Sequence, residues 1–143
     1  MDPEIERLRG AFFEEASDFL STIESGLLAL EAGQASTEVV HTVFRATHSL
    51  KGAARTFGYD DLAGFAHVLE DLLDRIRSGR TSASAQLADL LLRANDTLRL
   101  LVAAAQTGDP PPPETAGVLA TLHAALAGHT PSPATAPGTQ HLL

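Results

Sequence analysis

The amino-acid sequence predicts an all-α protein, an antiparallel up-and-down four-helix bundle with a short fifth C-terminal helix. Hydrophobic residues make up 44% of its 143 positions and aromatic residues only 5%, and alanine and leucine supply most of the hydrophobic share. This mixture favours helices over strands. Four stretches repeat apolar residues every three or four positions, as amphipathic helices do, and none alternates with period two for the length of a strand. Short connections between them favour antiparallel neighbours.

The first predicted helix is long and begins with Asp2 as its N-cap and Pro3 at the first helical position. It ends near Gly33, since a glycine readily adopts the backbone conformation that closes a helix. Phe13 and Leu20 lie to one side of its apolar stripe, either as flanking core residues or as part of an exposed apolar docking patch. The stripe consists of Ile5, Leu8, Phe12, Ala16, Phe19, Ile23, Leu27 and Leu30.

The second and third predicted helices form a hairpin. Ser36 caps the second helix, which runs to about Arg55 and is broken by Gly58. The third helix opens with acidic residues at Asp60 and Asp61 and ends at 78–79. The buried side of the second helix consists of Val40, Val43, Phe44, Thr47 and Leu50, and that of the third of Leu62, Phe65, Ala66, Leu69, Leu72, Leu73 and Ile76.

A fourth helix is predicted over residues 84–106, stopped by Gly108. The prolines at 110–113 form a stiff connector, because proline cannot continue a helix. A short fifth helix follows over residues 113–127. Residues 128–143 are rich in Pro, Ser, Thr, Ala and Gly and are expected to be a disordered tail or interdomain linker. The helical domain is therefore predicted to span residues 1–127.

Charge and composition exclude several kinds of partner and site. The net charge of -8 disfavours binding to nucleic acid or to an anionic membrane surface. The absence of cysteine excludes disulfides and thiolate metal sites. No apolar run approaches the roughly 20 residues that cross a bilayer, and the charged N-terminus has no signal-peptide core. These features predict a soluble, cytoplasmic protein without direct membrane insertion.

A cluster of polar side chains is predicted at the middle of the hairpin. Lys51, the only lysine, and Gly52 lie one helical turn after His48 and on the same face. His67 and Glu70 share a face of the third helix. His48 precedes the turn by about as many residues as Glu70 follows it. At about 1.5 Å per residue, the two side chains should therefore meet across the helix pair.

Such a cluster suits transfer of a phosphoryl group. A carboxylate of Glu70 that accepts the Nδ1 proton of His48 orients the ring and leaves Nε2 as the nucleophile. Lys51 would supply a positive charge for the phosphoryl oxygens. Gly52 would leave room for the phosphoryl group and a partner protein. Taken alone, however, a histidine on a helix is more often an ordinary surface or core residue without a catalytic role.

The run FRATHSLKGAARTFG, from Phe44 to Gly58, resembles the phosphorylation-site helix of histidine-containing phosphotransfer (HPt) domains. Within that family it is most similar to the N-terminal domain of chemotaxis histidine kinases of the CheA type. The matching positions include His48, the Lys51-Gly52 pair and the Phe57-Gly58 pair. The second part of the family site, a histidine and a glutamate three residues apart on the next helix, is matched by His67 and Glu70. The resemblance covers roughly residues 5–127. The segment 53–55 and the proline run at 110–113 depart from the family pattern.

This resemblance implies a function. His48 would be phosphorylated by a CheA-type kinase domain, on the same or another polypeptide. His48 would then pass the phosphoryl group to an aspartate of a CheY- or CheB-type receiver domain. Glu70 would orient His48, and His67 would support the site. The chain has no Walker motif or glycine-rich nucleotide loop. ATP and Mg²⁺ would therefore be used by partner domains, and the chain would act enzymatically only as part of a sensor kinase.

Two other functions compete with this interpretation. A metal-binding bundle could use His48, His67 and Glu70, although such bundles need several inward carboxylates and Glu-x-x-His motifs on paired helices. A non-catalytic adaptor could dock a partner helix through exposed apolar residues, for which the candidates are Phe13, Leu20 and Leu50.

Overall fold

Five α-helices form the protein over the residues that the computed structural model describes, 2–34 and 36–128, and this part contains no strand. The predicted tail lies, from residue 129 onward, outside the described residues. No helix in the described ranges is both long and apolar enough to cross a membrane. The helices are α1 (Pro3–Glu31), α2 (Thr37–Thr56), α3 (Asp60–Arg77), α4 (Ala85–Thr107) and α5 (Thr115–Leu126).

Three of the helices begin at a side-chain cap, and the sequence predicts two of these caps, Asp2 and Ser36. The side-chain oxygens of Asp2, Ser36 and Ser84 accept hydrogen bonds of 2.9, 3.1 and 3.1 Å from backbone N–H groups two or three residues later. Each bond satisfies a donor that the first helical turn leaves without a partner. At the other end of α4, Gly108 has a φ of +78° and closes the helix as expected.

The first four helices pack in ring order, so that α1 contacts α2 and α4, and α3 contacts the same two. This arrangement confirms the predicted four-helix bundle. The fifth helix covers the groove between α3 and α4, where Arg75 Nη1 donates a hydrogen bond of 2.5 Å to the backbone carbonyl of Leu126. The largest fully buried side chains are Ile23, Leu27, Leu50, Leu62, Leu69, Leu72, Leu73, Leu87, Leu90, Leu91, Leu98 and Leu122.

The turn between α2 and α3 fixes how these two helices face each other. Gly58 has a φ of +77°, in the left-handed region that favours glycine. Tyr59 then folds back, donating its backbone N–H to the carbonyl of Ala54 at 2.9 Å. Arg9 Nε on α1 donates to the Tyr59 hydroxyl at 3.1 Å. The start of α1 therefore lies at the same end of the bundle as this turn.

Two expectations about apolar residues are wrong. Ile5 and Leu8 were predicted in the core stripe, but they are exposed. The chain that precedes Arg9 extends past the turn that Arg9 contacts, so no neighbouring helix covers these two side chains. Phe13, Leu20 and Leu50 are buried in the core. They cannot form the exposed docking patch that the adaptor hypothesis requires, whereas the alternative prediction of Phe13 and Leu20 as flanking core residues is confirmed.

Candidate functional site

His48 lies in the middle of α2 with its side chain 62% exposed. The nearby residues Thr47 and Leu50 are completely buried, and their packing holds this part of α2 in place. An exposed imidazole on a rigidly packed helix is accessible to another molecule without any movement of the fold. His48 is therefore suited to reaction with a partner.

Glu70 on α3 meets His48 across the helix pair, as the spacing about the turn predicts. Its side chain is only 9% exposed, and its Oε2 forms a hydrogen bond with Nδ1 of His48. A carboxylate only accepts hydrogen bonds, so Nδ1 carries the proton. In a neutral imidazole, Nε2 then holds a lone pair. Glu70 thus fixes both the tautomer and the direction of the ring.

Lys51 binds the second oxygen of the same carboxylate. Its Nζ donates a hydrogen bond of 2.5 Å to Glu70 Oε1, and its side chain is 13% exposed. The three side chains form one network, in which α2 supplies both donors and α3 the acceptor. Lys51 was predicted as a counter-charge for a phosphoryl group; in this structure its charge is paired with Glu70, one turn from His48.

The pKa of Glu70 reflects two opposing effects. Burial favours the neutral acid and would by itself raise the pKa, whereas the hydrogen bonds from Lys51 and His48 favour the carboxylate. The hydrogen bonds prevail, together with the positive charge of Lys51, and the pKa lies below its ordinary value. Glu70 is therefore ionised near neutral pH and ready to accept the Nδ1 proton.

His67 is a neighbour of this network without a hydrogen bond to it. Its Nδ1 lies 3.8 Å from Glu70 Oε1, and its Nε2 lies 3.6 Å from Oδ2 of Asp71. Both distances exceed those of a hydrogen bond. His67 was predicted to support the site, and the structure places it beside Glu70 with half of its side chain exposed. Asp71 was not singled out from the sequence.

Gly52 is exposed and lies one turn after His48, near the C-terminal end of α2. A Cβ atom added there would meet nothing within 4 Å. Packing within this chain therefore does not require glycine, although glycine in a helix costs about 1 kcal/mol relative to alanine. A side chain on a helix leans toward the preceding turn, so one at this position would lean over His48. The space at position 52 is therefore open, and its use as clearance for a phosphoryl group stays a prediction.

Phe44, one turn before His48, contacts the imidazole and was assigned from the sequence only to the buried side of α2. The two rings stack with their centroids 6.2 Å apart and their planes 12° apart. The guanidinium carbon of Arg77, from the end of α3, lies 4.0 Å from the centre of the Phe44 ring. The spacing of four residues between Phe44 and His48 is the signal from which the first contact could have been found.

The arrangement does not resemble a metal centre. The described ranges, 2–34 and 36–128, contain no group of three or more His, Cys, Asp or Glu side chains placed to hold a metal ion. Of the proposed ligands, Glu70 already has both oxygens engaged by His48 and Lys51.

Comparison with known proteins supports a phosphotransfer site. Residues 7–108 match the family model described as "Hpt domain". Among curated proteins, the chain is 43% identical over 105 residues to the chemotaxis protein CheA of Rhizobium meliloti, covering 73% of this chain and 14% of that protein. It is 34% identical over 138 residues to CheA of Treponema pallidum, covering 96% of this chain and 16% of that protein. The chain thus spans less than a fifth of these relatives.

The fold is similar to a solved structure, the phosphorylated P1 domain of CheA3 in complex with CheY6 from R. sphaeroides. The TM-score is 0.79 at 28% sequence identity, and the match covers 87% of this chain and 98% of that one. This chain therefore combines the network around Glu70 with a fold that is similar to that of a phosphorylated domain.

Proposed function

Because this chain belongs to the Hpt domain family, we propose that it carries a phosphoryl group on Nε2 of His48. The group comes from ATP in a separate histidine kinase domain and goes to an aspartate on the receiver domain of a response regulator. The observation that carries this proposal is the acceptance of the His48 Nδ1 proton by Glu70, which leaves Nε2 as the free nucleophile on an exposed ring.

The first transfer needs no proton to leave the imidazole. The Nε2 lone pair attacks the γ-phosphorus of ATP, an N–P bond forms, and the bond from phosphorus to the bridging oxygen breaks, releasing ADP. The ring retains its proton on Nδ1 and becomes positively charged. The carboxylate of Glu70, already hydrogen-bonded to Nδ1, stabilises that charge as it develops. Because Glu70 is held in place before the reaction, little reorganisation is required.

The second transfer reverses the change on the ring. A carboxylate oxygen of the receiver attacks phosphorus, the N–P bond breaks, and its electron pair returns to Nε2. The imidazole becomes neutral again with its proton still on Nδ1. The same residue that assists formation of the phosphohistidine therefore leaves the ring ready for another cycle.

In this proposal Lys51 supplies a positive charge for the phosphoryl group, and Gly52 leaves space for it. Lys51 Nζ lies on the Glu70 carboxylate, one helical turn from His48, and an ammonium on a flexible stem can rotate toward phosphoryl oxygens. Gly52 leaves the ring uncovered on the side of the α2 C-terminus, where a partner domain has room to approach.

The identity of the partners rests on the comparisons. The CheA relatives support a chemotaxis kinase of the CheA type as the source of the phosphoryl group, on the same or another polypeptide. The solved complex with CheY6 supports a CheY- or CheB-type receiver as its destination. We expect ATP to be held by the kinase domain and Mg²⁺ by the partner domains, all in the cytoplasm.

Labelling of the purified chain with phosphoramidate, a small phosphoryl donor, tests the proposal without a cognate kinase. Wild-type protein should gain an acid-labile, alkali-stable phosphate, as a phosphohistidine is. Added CheY-type receiver should then remove it and become labelled on its own aspartate. The receiver variant with asparagine at that position should leave the phosphate on this chain.

His48→Gln identifies the accepting residue, and His41→Gln is its matched control because His41 lies on the same helix. The proposal predicts no labelling of His48→Gln and normal labelling of His41→Gln. Equal labelling of His48→Gln and wild type would overturn it.

A further inference from the structure

A column of stacked side chains lies beside the imidazole on the side away from Gly52. Phe44 stacks on His48 with centroids 6.2 Å apart and a tilt of 12°, within the range of attractive offset stacking. Arg77 places its guanidinium carbon 4.0 Å from the centre of the Phe44 ring, well inside the distance of a cation–π contact. The column therefore links His48 on α2 to the end of α3.

Arg77 is itself held in position. Its Nε and Nη2 donate to Oδ1 of Asp74 at 3.2 and 2.6 Å. Arg80 Nη2 contacts the other oxygen of Asp74 at 3.3 Å, and Arg80 Nε donates to Ser78 Oγ at 2.9 Å. These contacts restrict a side chain that is otherwise only partly buried. The ion pairs therefore favour a position of the guanidinium beside the Phe44 ring.

Glu70 alone does not determine the plane of the imidazole. A single hydrogen bond at Nδ1 sets the tautomer and the direction of one ring atom, but the ring can still tilt about that contact. A parallel ring at one face removes this freedom. From this geometry we infer that Phe44 is a positioning residue for His48, and that Arg77 acts through Phe44 to hold the reactive imidazole in one plane.

The column also fills the space beside the imidazole toward the N-terminus of α2. Side chains on a helix lean toward its N-terminus, so the imidazole leans over the turn that Phe44 occupies. Phe44 and Arg77 close that side, whereas Gly52 leaves the C-terminal side open. This inference rests on the proposed function, since it concerns the geometry of the same phosphoryl transfer.

Exchange of Phe44 for leucine tests the role of the ring. Phe44→Leu keeps an apolar side chain and removes the stack, Phe44→Tyr restores an aromatic ring, and Phe19→Leu makes the same exchange at another partly buried phenylalanine, on α1. The rate of labelling by phosphoramidate is corrected for the folded fraction. It should fall about two- to tenfold in Phe44→Leu and should stay at the wild-type level in Phe44→Tyr and Phe19→Leu.

Exchange of Arg77 tests the second layer of the column. Arg77→Gln removes the cation and should slow labelling, but less than Phe44→Leu does. Arg77→Lys keeps a cation but loses the planar guanidinium, so its rate should lie between those of Arg77→Gln and wild type. Arg93→Gln is the charge control, because Arg93 is exposed on α4 and has no contact with the Phe44 ring in the described structure. It should leave the rate unchanged.

The NMR order parameters of the His48 ring C–H bonds give a readout of ring motion that does not depend on phosphorylation. They should fall in Phe44→Leu and return toward wild type in Phe44→Tyr. Unchanged order parameters and unchanged labelling rates in both Phe44→Leu and Arg77→Gln would overturn the inference while leaving the proposed function intact. Failure of wild-type protein to become labelled would overturn the proposed function, and the order parameters would then still decide whether Phe44 restrains the ring.

Discussion

Lys51 donates a 2.5 Å hydrogen bond to Glu70 Oε1, the second oxygen of the carboxylate that orients His48. The only lysine of the chain is thereby tied to the residue that controls the imidazole. Lys51 thus has a role before any phosphoryl group arrives, because its charge keeps Glu70 ionised in a largely buried position.

Removal of the Lys51 charge should affect both stability and reaction. In Lys51→Gln, Glu70 loses its charged partner, and we expect the free energy of unfolding to fall by about 1–2 kcal/mol. The labelling rate should fall as well, because a less strongly ionised Glu70 holds the Nδ1 proton less well. Urea denaturation and phosphoramidate labelling measure the two effects.

Arg55→Gln is the matched control for Lys51→Gln, since it removes an exposed positive charge from the same helix. It should change neither quantity. If both variants behaved alike, the effect of Lys51 would be one of general charge rather than of its bond to Glu70.

Replacement of Glu70 by glutamine should slow phosphorylation more than it disturbs the fold. His48 and Lys51 bind different oxygens of Glu70. In glutamine one of these positions is a donating NH₂ group, so one of the two contacts is lost. Loss of a charged hydrogen-bond partner predicts a fall of about ten- to hundredfold in labelling rate. Asp71→Asn, one residue along the same helix, is the control and should label nearly as wild type does. A wild-type rate in Glu70→Gln would remove Glu70 from the mechanism.

The contribution of Glu70 to stability should depend on pH in a defined direction. Its pKa in the folded state lies below its ordinary value near 4.5, so the folded protein binds fewer protons than the unfolded chain at mildly acidic pH. The resulting stabilisation is complete above pH 4.5 and is lost as pH falls through the lower, folded-state pKa.

The free energies of unfolding of wild type and Glu70→Gln can be measured in urea from neutral pH to below pH 4.5. The difference between them should shrink as the pH falls. A difference that grew as the pH fell would contradict the direction of the shift.

Gly52 should lower the stability of the helix and favour phosphoryl transfer. Neither Gly52 nor Gly64, an exposed helical glycine on α3, has an atom within 4 Å of the place where a Cβ would stand. Alanine at either position should raise stability by about 0.5–1 kcal/mol. Only at position 52 should a long side chain, as in Gly52→Gln, slow phosphoryl transfer to a receiver. Equal transfer rates in Gly52→Gln and Gly64→Gln would show that phosphoryl transfer does not require the open space at position 52.

The sequence predicted the helices and the central contact because both depend on local rules. Asp2 and Ser36 can be recognised as caps because an apolar helical period follows each of them, and this is a property of neighbouring residues. The meeting of His48 with Glu70 followed from helical rise and a short turn, which leave little freedom in the relative height of two antiparallel helices.

Other features depended on side-chain directions that a helical period does not specify. The spacing put Lys51 on the face of His48, but its choice of Glu70 as partner depends on a rotamer. The burial of Phe13 and the exposure of Ile5 depend on where neighbouring helices end. The contact of Arg77 with Phe44 joins residues 33 positions apart on different helices, and no local pattern marks it.

The position of the phosphoryl group on the imidazole tests the central claim most directly. Protein with ¹⁵N-labelled histidine is phosphorylated with phosphoramidate, and coupling between ³¹P and the ring nitrogens of His48 is measured by NMR. Because Glu70 accepts the Nδ1 proton, the account predicts coupling of phosphorus to Nε2 and a proton retained on Nδ1. Phosphorus on Nδ1 of His48, or on a residue other than His48, would contradict it.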